Sequence, residues 1–272
     1  MPLRSVHWKL SEPRAKDQGR IRLHRRFPSG YLSTPRDIAV YVPPGYDESD
    51  ARYPVLYLQD GQNLFDPATA YGGQDWCADL TADVLTTAGE IEPVMLVGVY
   101  NTGVRRISEY TPTRDPARRK GGKGDRYAQM LARELKPFID SHYRTRKNEA
   151  GVGGSSLGGL VALEAALLYP RVFGKAAVLS PSVWWDRRSI LDLVRKYRAA
   201  SRPRIWLDAG TDEGDRPEEV VEDLRLLRDA LVEQGWESGK TLLYAEIEGA
   251  GHNERAWGAR FAAVLKGLYG VA

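Results

Sequence analysis

Short apolar runs alternate with amphipathic helical segments along most of this chain, and this order limits its fold more than any other feature. The apolar runs have the length and continuous hydrophobicity of buried strands. They are Ile38–Val42, Val55–Leu58, Val94–Val99, Ala176–Leu179, Ile205–Asp208 and Leu242–Ile247. Apolar residues at helical spacing occur in Tyr127–Tyr143, Ser156–Tyr169, Pro217–Gln234 and Asn253–Tyr269. Because parallel strands need helical crossovers, the alternation predicts an α/β fold with a mostly parallel central sheet and helices on both faces.

The predicted organisation is one α/β domain over residues 1–272, in which residues 1–36 form an N-terminal arm or an edge hairpin. Within that segment, a strand is predicted around Ile21–His24. Residues 180–203 have room for one helix, so no large lid domain is expected there. Residues 101–125 are aperiodic and rich in Arg, Lys, Gly and Pro, which is typical of a functional or a disordered loop.

Composition argues against several classes of protein. The formal net charge of +3 is too small to indicate a nucleic-acid or membrane partner. Cys77 is the single cysteine, so an intrachain disulfide is excluded and neither a zinc site nor a redox site is indicated. We interpret Cys77 as a small, buried or half-buried packing residue, and we expect no metal or cofactor.

The N-terminal residues lack the apolar core that a signal peptide needs. The longest apolar runs, such as Val94–Tyr100, are much shorter than a membrane span. The sequence therefore predicts a soluble, cytoplasmic protein, although a chain from which a leader had been removed would read the same way.

Residues 154–158 match the G-x-S-x-G motif, with Ser156 at its centre. A short strand is predicted before it at Glu149–Gly153, and the apolar segment Gly159–Leu168 behind it is a strong helix former. This strand–turn–helix setting exposes the serine hydroxyl beside a helix N-terminus, where a developing oxyanion is stabilised. Ser156 is thus the predicted nucleophile. Ser155 lies outside the motif frame, and the alternative is a glycine-rich turn that binds an anion or nothing.

His252 is the predicted general base for that serine. It lies in a glycine-rich turn between the last strand and the last helix, at a carboxyl strand end where α/β sheets place their chemistry. The other histidines, His7, His24 and His142, are interpreted as surface or packing residues.

A carboxylate should fix the orientation of the histidine. In proteins whose nucleophile lies in such a strand–turn–helix motif, the carboxylate follows the serine and precedes the histidine in the chain. The segment after Ile205–Asp208 offers Glu213, Asp212 and Asp215 in that order of preference, with Asp208 expected to lie within the strand end. The residues by themselves leave this choice open.

The oxyanion hole of this fold uses two backbone N–H groups. One belongs to Leu157, which follows the nucleophile. The second is expected from the loop after Val55–Leu58, where Gly61 permits a tight turn and Gln62 is the preferred donor. A plain strand-to-loop turn is the alternative for this segment.

Several motifs together make the chain resemble the putative-esterase group of α/β-hydrolases, from about Arg36 to Trp257. They read VPPGY at 42–46, YLQDGQN at 57–63, RISEYTP at 106–112, GSSLGG at 154–159, SPSVWW at 180–185 and GHN at 251–253. That group includes esterase D, enterochelin esterases, feruloyl and acetyl xylan esterases, and mycobacterial mycolyltransferases. The resemblance implies an α/β-hydrolase fold and a serine esterase.

The resemblance also bears on the site residues. The group usually places its acid two residues after a Gly-Thr turn, which here implies Glu213, and its oxyanion donor after an Asp-Gly pair, which implies Gln62. The implied reaction is hydrolysis of a carboxylic ester through a covalent acyl-enzyme, with no cofactor.

The substrate is expected to be a small ester: an acylated sugar, an aromatic-acid ester or a siderophore-type ester. Candidate contacts are Asp60, Arg106, Trp184 and Trp185, and core packing is an equal interpretation for either tryptophan. Arg106 pairing with Glu109 is a purely structural alternative. An acyltransferase and a non-catalytic carbohydrate- or siderophore-binding protein are the competing functions.

Overall fold

The computed structural model describes residues 20–271. In chain order, their strands are β1 (Ile21–Phe27), β2 (Arg36–Tyr41), β3 (Tyr53–Gln59), β4 (Met95–Val99), β5 (Arg114–Asp115), β6 (Lys120–Gly121), β7 (Thr145–Ser155), β8 (Phe173–Leu179), β9 (Arg204–Gly210) and β10 (Leu242–Ile247). An eight-stranded sheet has the order β1-β2-β4-β3-β7-β8-β9-β10, and β5 and β6 pair as a separate small hairpin.

Strand β2 runs antiparallel to both of its neighbours, β1 and β4, whereas the neighbours from β4 to β10 pair in parallel. The prediction of a mostly parallel sheet is confirmed. The strand predicted around Ile21–His24 is β1, and it forms an edge hairpin with β2. Residues 1–19 of the predicted arm lie outside the described residues, and the assignment of the chain to one domain stays a prediction.

The α-helices of the described residues are α1 (Ala78–Thr87), α2 (Arg106–Glu109), α3 (Gly124–Met130), α4 (Lys136–His142), α5 (Leu157–Leu168), α6 (Ser189–Arg195), α7 (Pro217–Glu233) and α8 (Glu254–Tyr269). A π-helical turn at Leu131–Leu135 connects α3 to α4. Pro137 lies in the first turn of α4 and has no N–H to donate, which accounts for the departure from α-helical bonding just before it. The helices predicted from spacing are confirmed, whereas α1 and α2 were not predicted.

Helices cover both faces of the sheet. Helices α1 and α8 lie on the face that carries Leu56 and Leu58 of β3, and α3 to α7 lie on the opposite face, which carries Val55 and Tyr57. Alternate residues of one strand thus enter two different cores, which is why the strand sequence is apolar throughout. With α6 as the single helix of residues 180–203, the described residues contain no inserted lid domain, and the predicted α/β-hydrolase fold is confirmed.

Residues 101–125, predicted to be a functional or disordered loop, are ordered. They contain α2 and the β5–β6 hairpin. Cys77 is half-buried, as expected. No helix within residues 20–271 has the length and apolarity required to cross a bilayer.

Glu164 is a carboxyl group inside the otherwise buried helix α5. Its side chain is 3% exposed, and among the described residues its Oε2 atom has no hydrogen-bond partner. The carboxyl packs so closely on Gly124 that a Cβ there would lie 1.9 Å from Oε2. Burial raises the pKa of Glu164 to about 8, and the nearby charge of Asp125 adds to this shift.

This shift predicts a loss of stability as the pH rises from about 4.5 to about 8. The unfolded chain ionises Glu164 near pH 4.5, whereas the folded chain keeps the proton up to about pH 8, so the free energy of unfolding falls as the pH rises through this window. Glu164→Gln should flatten that dependence, as measured by urea unfolding at a series of pH values. Glu222→Gln, on the exposed side of α7, is the control and should follow the wild type. Equal pH dependence in both variants would contradict the prediction.

Candidate active site

Ser156 occupies a strained turn between β7 and α5. Its φ of 57° and ψ of −126° are rarely adopted by residues that carry a side chain. Its N–H donates to the carbonyl of Leu179 at 3.0 Å, which ties the turn to β8. A Cβ at Gly154 would lie 2.8 Å from the carbonyl carbon of Gly158, so glycine is needed for the turn to close. The predicted strand–turn–helix setting is confirmed.

Ser156, His252 and Glu213 come together from three loops at the carboxyl ends of β7, β10 and β9. The Nε2 atom of His252 lies 3.0 Å from the Oγ of Ser156. Its Nδ1 atom lies 2.8 Å from Oε2 of Glu213. The side chain of His252 is 37% exposed and that of Glu213 is 1% exposed. The geometry is therefore that of a serine, a histidine and a buried carboxylate in one line of hydrogen bonds.

The carboxylate of Glu213 is surrounded by donors. Its Oε1 atom accepts from the Ser180 hydroxyl at 2.5 Å and from the Gly210 N–H at 2.7 Å. Burial alone would raise the pKa of Glu213, but the hydrogen bonds with His252, Ser180 and Gly210 hold it below its ordinary value. The group therefore stays ionised, as a partner for an imidazolium requires.

The competing residues lie elsewhere. Asp212 and Asp215 are exposed, and Asp208 is buried within β9, as expected. His24 is buried against the Tyr143 hydroxyl at 2.6 Å, and His142 ends α4. His7 lies outside the described residues.

The two predicted oxyanion donors border the nucleophile. Leu157 is the first residue of α5, where backbone N–H groups have no acceptor within the helix. Gln62 lies in the short helical turn Gly61–Asn63 after β3 and lines a cavity together with Ser156. A Cβ at Gly61 would lie 2.3 Å from the carbonyl carbon of Gly98 on β4, so this turn needs glycine. Their role as oxyanion donors stays a prediction.

The cavity above Ser156 has a volume of about 330 Å³, which suits a small ligand. Most of its lining residues carry polar or charged side chains. The lining residues are Asp60, Gln62, Asn63, Tyr71, Asn101, Arg106, Ser155, Ser156, His252, Glu254 and Trp257.

Two of the candidate substrate contacts, Asp60 and Arg106, line this cavity and bind each other. The guanidinium of Arg106 donates from Nε to Oδ1 at 2.8 Å and from Nη2 to Oδ2 at 2.7 Å. Burial opposes the charge of Arg106, but the Asp60 carboxylate raises the pKa of Arg106 above its ordinary value. The alternative pairing of Arg106 with Glu109 is wrong, because Glu109 pairs with the buried Arg36 at 3.1 Å.

The two candidate tryptophans do not line the cavity. Trp185 is 2% exposed and its indole N–H donates to the Thr113 carbonyl at 3.0 Å, so it packs in the core and its prediction as a substrate contact is wrong. Trp184 is 47% exposed and lies 5.0 Å from the guanidinium of Arg118. Its role as a substrate contact stays a prediction.

Sequence reasoning missed other polar groups of the site. Ser182 lies with its Oγ 3.3 Å from that of Ser156, and Asn63 donates to the Glu254 carboxylate at 3.0 Å. The pKa of Glu254 is raised above its ordinary value, mainly by burial. The signal for Ser182 and Asn63 was their presence in the quoted motifs, and for Glu254 its position two residues after His252.

The chain is similar to several known proteins. The family model described as "Putative esterase" matches residues 29–268. The ferri-bacillibactin esterase BesA of Bacillus subtilis is 27% identical over 223 residues, covering 74% of this chain and 74% of that protein. The uncharacterised protein YbbA of the same organism is 26% identical over 249 residues, covering 86% and 93%. The solved siderophore hydrolase EstA from Aspergillus nidulans has a TM-score of 0.70 at 22% identity, covering 96% and 97%.

The geometry predicts which acidic side chain matters for turnover. Glu213→Gln should lower kcat by roughly 10³–10⁴, because the imidazolium loses its buried counter-charge. Asp212→Asn is the matched control and should retain kcat, since its side chain is exposed. Steady-state kinetics of the folded variants measures the difference. A crippled Asp212→Asn beside an active Glu213→Gln would show that the acid has been assigned to the wrong residue.

Proposed function

The chain belongs to the family described as "Putative esterase" and is a carboxylic ester hydrolase, and from that premise we propose that it acts through a covalent acyl-enzyme on Ser156. The observation that carries the proposal is the unbroken line of hydrogen bonds from Ser156 through His252 to Glu213, at 3.0 Å and 2.8 Å. A serine hydroxyl is a weak nucleophile until a positioned base accepts its proton.

The proposed reaction has two halves. The Oγ of Ser156 attacks the ester carbonyl while Nε2 of His252 accepts the hydroxyl proton. Collapse of the tetrahedral intermediate breaks the ester C–O bond, and the same proton passes to the departing alcohol. Water then attacks the acyl-enzyme, again giving a proton to His252, which returns it to Ser156 as the acid is released.

Electrostatics favour the charged intermediate. Ionised Glu213 stabilises the imidazolium of His252 and keeps Nδ1 protonated, so Nε2 is free to act as base. The N–H groups of Gln62 and Leu157 are the proposed oxyanion donors, and the N-terminus of α5 adds positive potential.

For the substrate, we favour a siderophore-type ester. The names of several relatives support this choice, among them the ferri-bacillibactin esterase of Bacillus subtilis and the siderophore enterobactin esterase of Emericella nidulans. The cavity agrees with a polar substrate, because the polar side chains of Asn63, Asn101 and Arg106 line it together with Ser156. Its volume of about 330 Å³ suits one ester unit of a larger molecule.

Labelling with a fluorophosphonate tests the nucleophile. The adduct should form on Ser156, and Ser156→Ala should lower kcat by about 10⁵–10⁶. Ser155→Ala is the matched control and should keep most of the activity. An adduct on another residue, located by mass spectrometry, would refute the assignment, and a protein that neither labels nor turns over esters would be the non-catalytic binder.

A substrate panel tests the choice of ester. We expect kcat/KM to be highest for a catecholate trilactone, compared with feruloyl esters, acetylated sugars and short p-nitrophenyl esters. A clear preference for one of the other classes would overturn the siderophore proposal without affecting the nucleophile. Product analysis with and without an added alcohol separates hydrolysis from acyl transfer.

A further inference from the structure

Arg260 is a buried arginine beside Glu213, at the end of the line of hydrogen bonds from Ser156 through His252 to Glu213. It lies one turn after Trp257 on α8 and is 6% exposed. Its Nη2 atom lies 2.5 Å from the Oγ of Ser180, 3.1 Å from Oδ1 of Asp208 and 3.5 Å from Oε1 of Glu213. A buried guanidinium is costly to desolvate, so its position beside Glu213 calls for an explanation.

Ser180 connects Arg260 to Glu213, and its hydroxyl has a fixed direction. A hydroxyl offers one proton and two acceptor lone pairs. The Oγ of Ser180 accepts from the Trp257 indole N–H at 2.9 Å and from Arg260 at 2.5 Å. Because both lone pairs are occupied, the proton is left to donate to Oε1 of Glu213 at 2.5 Å.

The two oxygens of Glu213 therefore have separate partners. Oε1 accepts from Ser180 and from the Gly210 N–H at 2.7 Å, whereas Oε2 is left for Nδ1 of His252 at 2.8 Å. We propose that Ser180 and Arg260 are positioning residues that direct Oε2 of Glu213 toward His252. The inference rests on the proposed function, since it assigns to Glu213 the role of the triad acid.

Asp208 completes the arrangement on the far side. It is fully buried, lies 3.1 Å from Arg260 and accepts from the Trp206 indole N–H at 2.7 Å. The Nη2 atom of Arg260 thus lies near both carboxylates. Because Asp208 also faces the guanidinium, the charge of Arg260 is not balanced by Glu213 alone.

Neither Ser180 nor Arg260 lines the cavity, so the proposal predicts effects on turnover and not on substrate binding. Ser180→Ala should lower kcat roughly ten- to hundredfold with KM unchanged, the range expected for loss of a hydrogen bond to a charged group. The acid limb of the kcat/KM profile should also move to higher pH, because a carboxylate with fewer donors holds the imidazolium proton more tightly.

Arg260 needs a paired variant, since removing it alone leaves Asp208 buried and unpaired. Arg260→Met combined with Asp208→Asn removes both charges together. It should also lower kcat with KM unchanged and move the acid limb to higher pH, because the positive end of the pair faces Glu213. Ser189→Ala is the control. It removes the hydrogen bond of 2.9 Å between the hydroxyl of Thr113 and that of Ser189, the first residue of α6. This contact lies outside the site, so the variant should behave as wild type.

A double-mutant cycle separates positioning from general stability. In a Glu213→Gln background, Ser180→Ala should have no further effect on kcat, because the carboxylate that Ser180 positions has been replaced by an amide. Equal losses in both backgrounds, or an acid limb that does not move, would overturn the proposal while leaving the triad intact. A wild-type kcat for Glu213→Gln itself would instead refute the triad, and with it this inference.

Discussion

The site depends on the buried carboxylate of Glu213. Burying a carboxylate is unfavourable unless donors surround it. Here the donors come from separate elements: Gly210 is the last residue of β9, Ser180 follows β8, His252 follows β10 and Arg260 lies within α8. Because the hydrogen bonds that keep Glu213 ionised also hold these ends together, the local fold and the electrostatics of the site have the same cause.

Ser156, the proposed nucleophile, is held in place by other contacts. Strain at Ser156 is tolerated because the turn is held between β8 and the buried helix α5. The neighbouring turn Gly61–Asn63, which contains the proposed oxyanion donor Gln62, is held in place by residues 101–125. The Tyr110 hydroxyl accepts from the Asp60 N–H at 3.3 Å, and Arg106 binds the Asp60 side chain through two hydrogen bonds. A segment without regular periodicity thus fixes the backbone beside the nucleophile.

The sequence was sufficient to predict the parallel sheet, the strand–turn–helix setting of Ser156 and the loop that carries His252, because periodicity and glycine placement are local signals. It was insufficient where contacts join distant segments. The pairing of Arg106 with Asp60 spans 46 positions. The buried indole of Trp185 donates to the carbonyl of Thr113, which is 72 positions away in the chain. Glu213 was the first preference from the residues, and a family pattern strengthened it, because adjacent acids on a turn differ mainly in direction. Arg260 had a signal that was overlooked: it is a charged residue on the apolar face of α8.

These two supports meet at the cavity but share few parts. The proposed acid and base are held by α8 and the ends of β8 to β10, whereas the proposed nucleophile is held by α5 and β8. The remaining walls, with Asn63, Tyr71 and Asn101, come from loops after β3 and β4. We therefore expect changes in those loops to alter what the cavity holds without moving the hydrogen bonds from Ser156 to Glu213. With the proposed function, this separation would let one arrangement of serine, histidine and carboxylate act on esters of different shape, with the loops selecting the substrate.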